Sequence, residues 1–63
     1  MYTLTAFDSN NRIVMQNTGL DKFTALIGFD VWCDGSLDKC HRMDHVTLIN
    51  ETTKEIILSG EVK

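Results

Sequence analysis

Cys33, Cys40, His41 and His45 crowd into one segment, WCDGSLDKCHRMDH, and cysteine with histidine is the vocabulary of structural zinc. Such a site takes four thiolate or imidazole ligands in a tetrahedron. The spacing here is C-x6-C-H-x3-H, which lacks a close C-x2-C or C-x4-C knuckle. Cys40 and His41 are also sequence neighbours, whose side chains tend to diverge. A zinc-stabilised domain held by Cys33, Cys40, His41 and His45 is therefore the alternative reading. The plainer one buries Cys33 as a small hydrophobe and leaves the others near a loop, with no metal and no cofactor. A Cys33–Cys40 disulfide fits the spacing but not a reducing compartment.

Cys40 beside His41 also sets a nucleophile next to a base, with Asp38 and Asp44 close enough in sequence to orient an imidazole. Catalysis needs the pair to meet in space beside an anion hole. A chain of 63 residues leaves little scaffold for a pocket of the usual size. This argues against an enzyme. The four glycines, Gly19, Gly28, Gly35 and Gly60, are isolated and form no phosphate-binding loop.

Asp30, Asp34 and Asp38 recur every four residues, which on one continuous helix would stack three like charges. The simpler arrangement ends the helix at Asp34 and leaves Asp38 in a loop. Ala25, Phe29 and Trp32 form an apolar stripe beside these acids. Tryptophan and phenylalanine supply large contact areas, and tryptophan is enriched at interface hot spots. A non-catalytic protein-binding module follows, anchored by Ala25, Phe29 and Trp32, with Asp30 and Asp34 as an acidic rim. Its partner is a larger protein that it inhibits or modulates, or a second copy of itself as a homodimer.

Positioning this stripe falls to the segment TGLDKFTALIGFDVWCDG, the one stretch with helical periodicity. Thr18 reads as its N-cap, with Asp21 at the third helical position in the manner of a capping box. The helix continues through Gly28 to about Cys33 and ends at Asp34-Gly35. Leu20, Phe23, Ile27 and Val31 make a first stripe expected to cover a sheet. Ala25, Phe29 and Trp32 make the second, which needs a partner unless the helix stops at Gly28 or Trp32 caps the edge of the chain's own core.

Residues 2–7, YTLTAF, alternate with period two and read as a strand, followed by the turn formers Asp8-Ser9-Asn10-Asn11 and a return strand, RIVMQ. Ser36 to Arg42 suits a short extra turn of helix. From Asp44, Val46 and Leu48 alternate with His45, Thr47 and Ile49. Asn50 to Lys54 is turn material, EIILS is a last strand, and Gly60 begins a frayed tail. The order is ββαββ, an α+β domain with one helix packed across one face of an antiparallel sheet. The expected core is Leu4, Ala6, Ile13, Met15, Leu20, Phe23, Ile27, Val31, Val46, Leu48, Ile56 and Leu58.

With 43% hydrophobic and 24% charged residues, the composition suits one globular domain spanning residues 1–63. The formal net charge of −3 and the scattered Arg12, Lys22, Lys39, Arg42, Lys54 and Lys63 argue against nucleic acid. The opening MYTLTAFDSN has neither a basic nor an apolar leader region, and no apolar run is long enough to span a membrane. The expected location is the cytoplasm, with both thiols reduced.

Overall fold

The computed structural model describes residues 1–37 and 42–63, and shows four antiparallel strands and one helix in the order ββαββ. Strands β1 (Tyr2–Phe7), β2 (Ile13–Leu20), β3 (His45–Asn50) and β4 (Ile56–Glu61) form one sheet ordered β2-β1-β3-β4. Helix α1 (Lys22–Cys33) links the two hairpins and lies over the central strands β1 and β3. The expected α+β architecture is the observed one.

Both hairpin turns rest on a side chain that replaces missing backbone partners. Asp8 Oδ1 accepts from the Asn10 and Arg12 N–H groups at 2.9 and 3.0 Å. Asn50 Oδ1 accepts from the Thr52 and Thr53 N–H groups at 2.9 and 3.3 Å. Each turn then needs one residue at positive φ, Asn11 at 63° and Lys54 at 65°. Asparagine adopts that geometry readily, whereas lysine pays a Cβ penalty.

Cross-strand pairing of Leu4 with Leu48 and of Ala6 with Val46 puts these four side chains on the helix side of the sheet, all essentially inaccessible. The helix lies close to this layer. A Cβ added to Gly28 would stand 2.7 Å from Leu4 Cδ1, and Ala25 is 0% exposed. Further along, Trp32 is 5% exposed, and the Phe29 ring packs near Gly60 of β4. The inward stripe is therefore Ala25, Gly28, Phe29 and Trp32, the i, i+3, i+4, i+7 pattern of one helical face.

This reverses the expected orientation. Phe23 is 75% exposed and Ile27 51%, so neither belongs to the core. Two apolar stripes compete for one sheet. The small residues of the second let the backbone approach, while Phe29 fills the space near β4 and Trp32 joins the buried cluster. Ile13, Ile56 and Leu58 are also exposed on the edge strands β2 and β4, Ile13 beside Phe7 and Ile56 beside Ile49 on the face away from the helix. Leu4, Ala6, Val46 and Leu48 are buried as expected, and Met15, Leu20 and Val31 are partly buried.

Three boundaries differ. Thr18 is not the N-cap, because β2 runs on to Leu20 and keeps pairing with β1 through a bulge, with Gly19 at φ 68°. The cap is Asp21, whose carboxylate accepts the Thr24 N–H at 2.7 Å. At the other end, helix α1 continues through Gly28 and is capped by Asp34, as expected. The tail beyond Gly60 is tied down instead of frayed: β4 extends to Glu61, the Val62 N–H donates to Asp44 O and the Lys63 N–H to Cys33 O. Of the extra turn expected at Ser36–Arg42, residues 38–41 lie outside the described residues.

Glu51 joins the two hairpins. Its Oε2 accepts the Gly19 N–H at 2.7 Å and the Thr3 hydroxyl at 2.9 Å, linking β1, the β2 bulge and the β3–β4 turn.

Two predictions follow from this packing. Trp32→Ala should destabilise the fold by about 3–5 kcal/mol, whereas Phe23→Ala at an exposed position should stay within about 0.5 kcal/mol, measured by urea unfolding. Acid should also destabilise the protein. The carboxyls of Asp8, Asp21, Asp34 and Glu51 sit below their ordinary pKa values, chiefly through N–H donation from Arg12, Thr24, Ser36 and Gly19 respectively. A depressed folded-state pKa contributes stability that is complete above the ordinary carboxylate range and drains away as pH falls through the lowered value. Thermal midpoints across the acid range should therefore fall below about pH 4–5, less steeply in Glu51→Gln than in wild type.

Candidate functional site

Helix α1 decides where every candidate residue points. Its length follows from the Asp21 cap, the Asp34 cap and the turn at Gly35, where φ is 84° and an added Cβ would meet the Lys63 carbonyl at 2.6 Å. Of the residues expected to bind a partner, Ala25 and Trp32 are buried against the sheet and Phe29 is half-buried beside Gly60. Asp30 and Asp34 are exposed, Asp34 with its carboxylate accepting the Ser36 N–H at 2.7 Å. The aromatic residues and the acids thus do not share one surface. The aromatics fill the protein's own interior.

What remains outside is the stripe expected to be core. Phe23, Ile27 and, at 39% exposure, Leu26 stand in solvent on the outer helix face. Advancing 100° per residue, Phe23 and Ile27 form one row, and Lys22, Leu26 and Asp30 form a parallel row beside it. The helix also runs parallel to β4. Lys63 bonds to Cys33 at the helix end, and Gly60 packs against Phe29 and Cys33. Earlier residues of β4 accordingly lie towards earlier turns of the helix, so the exposed Leu58, paired with Leu48, extends the apolar surface from the Leu26 flank to the sheet edge, whereas Ile56 pairs with Ile49 on the opposite face. The sequence held one signal for this orientation: Ala25 and Gly28 are the small residues that permit close packing, and they lie on the face of Phe29 and Trp32.

The Cys/His ligand set is not assembled by the residues described. Cys33 faces the helix side of the sheet against Gly60. His45 lies on the opposite face, since its neighbour Val46 points to the helix. There its ring stacks on Phe7 with centroids 4.9 Å apart, and Nδ1 lies 2.9 Å from Asp44 Oδ2. Cys40 and His41 fall outside the described residues, as does Asp38. Among the described residues no group of three or more His, Cys, Asp or Glu could hold a metal ion.

Cys33 is free, and its pKa is raised, first by burial and then by Asp30 and Asp34. Both nucleophilic attack and metal ligation need the thiolate, which this environment disfavours. No helix among the described residues is long and apolar enough to cross a membrane. Comparison with protein-family models, with curated proteins and with solved structures finds no match.

The thiol chemistry is directly measurable. In Cys40→Ser protein, alkylation of Cys33 at mildly alkaline pH should run several-fold slower in the folded state than in denaturant, followed by mass spectrometry.

Proposed function

We propose that this chain is a non-catalytic protein-binding module that inhibits or modulates a protein partner through the outer face of α1. The supporting observation is the exposure of Phe23, Leu26 and Ile27 in adjoining rows on one rigid helix, continued by Leu58 at the β4 edge. Scattered exposed apolar residues are ordinary on soluble proteins, whereas an apolar patch of this continuity marks a contact surface. An amphipathic helix presenting i, i+3 and i+4 anchors is a common recognition device.

The contact surface is thus Phe23, Leu26 and Ile27, with Asp30 as its acidic rim, in place of Ala25, Phe29 and Trp32. Inhibition or modulation would arise by occupying a hydrophobic groove of the partner. A cytoplasmic location accords with the free thiol of Cys33.

Immobilised wild-type protein and an Ile27→Asp variant, compared for capture from a lysate, test this reading. Ile27 is exposed, so the variant should keep its circular dichroism and thermal transition while losing captured protein by tenfold or more, about the effect of a disrupted hot spot. Equal capture by both proteins would remove the outer helix face from the function.

A further inference from the structure

The charges that border the outer face of α1 on its β4 side are arranged against the helix that carries them. Lys22 occupies its first turn, which has no acidic residue, and Asp30 its last, which has no basic one. The helix dipole favours the opposite order. Neither side chain has an ion-pair partner among the described residues. The positions i, i+4 and i+8 of Lys22, Leu26 and Asp30 make a single row, positive at one end, apolar at the centre and negative at the other.

We propose that a second copy of this chain docks on this face, with the two helices antiparallel about a two-fold axis near Leu26. Each Lys22 then meets Asp30 of the other copy, and Phe23 and Ile27 flank the contact. A two-fold interface is self-complementary: if one residue contacts another, the reverse contact exists too. The Lys22–Leu26–Asp30 row meets that condition when reversed onto itself. A parallel arrangement would instead oppose Lys22 to Lys22 and Asp30 to Asp30. Rows of i, i+4 spacing are also the ridges most used in helix packing.

The proposal rests on the outer helix face being a binding surface, and it names the occupant. A standard stable interface takes about 800 Å² from each partner. That would be roughly a fifth of this molecule's 4344 Å² surface, more than a three-turn helix face offers. The dimer is accordingly weak, with a dissociation constant of about micromolar or higher, which leaves a larger protein able to compete for the same face.

Sedimentation equilibrium from about 1 µM to about 1 mM tests the assembly. Wild type should pass from monomer to dimer over that range. Lys22→Asp and Asp30→Lys should each be monomeric throughout, because each opposes like charges at both ends of the contact. Both changes improve the charge order along the helix, so their thermal midpoints should hold or rise and lost association cannot be assigned to unfolding. An equimolar mixture of the two variants restores both pairs and should associate at least as tightly as wild type.

Wild type that stays monomeric overturns the dimer. If Ile27→Asp nonetheless loses capture of another protein, the binding face stands without it. A dimer that Ile27→Asp breaks but the charge variants and their mixture leave unchanged overturns the antiparallel arrangement. A dimer indifferent to all three variants overturns this face as the interface.

Discussion

The structure depends on how closely α1 approaches the sheet. Gly28 passes so near Leu4 that a single methyl group would stand 2.7 Å from Leu4 Cδ1. Glycine inside a helix costs about 1 kcal/mol relative to alanine. The close approach offsets it by letting one helix exclude water from Leu4, Ala6, Val46 and Leu48 at once. It also fixes the rotation of the helix. Once Ala25 and Gly28 face the sheet, Phe29 and Trp32 must follow them inward, and Phe23 and Ile27 must face outward. Fold and surface chemistry follow from one contact.

Much of the architecture was legible from pattern. Period-two alternation identified YTLTAF and its partner around Val46, the Asp8–Asn11 and Asn50–Lys54 segments identified the turns, and Asp34-Gly35 identified the helix end. Helix rotation was not legible from apolar content, because both stripes are apolar and a larger first stripe looks like the better core. Volume decides it. A thin layer over two central strands has room for alanine and glycine at mid-helix, with the Phe29 ring opposite Gly60 of β4 and Trp32 buried at the end of the helix. The Thr18 expectation failed for a related reason. A local cap competes with strand pairing, and β2 gains more by staying beside β1 to Leu20, with Gly19 absorbing the bulge and Glu51 taking its N–H.

The candidate site changes accordingly. The residues singled out for their binding potential, Phe29 and Trp32, have the area and shape of interface anchors, and those same properties make them good core. Sequence spacing also drew Cys33 and His45 together, although alternation along β3 places His45 on the far face, stacked on Phe7. Exposed apolar side chains on α1 and at the β4 edge then carry the reading of a binding module. In so small a chain such exposure is costly to solubility, which gives the surface reason to be covered.

Everything proposed for the outer face requires Trp32 to be inside the monomer. Its fluorescence is the most direct test, since it is the chain's one tryptophan. The measurement is emission and acrylamide quenching at a protein concentration low enough to be monomeric. The account predicts blue-shifted emission with weak quenching that does not change on further dilution, and a red shift with strong quenching in urea. Red-shifted, readily quenched emission from the folded monomer would contradict it, returning the Phe29–Trp32 stripe to the surface and Phe23 and Ile27 to the core.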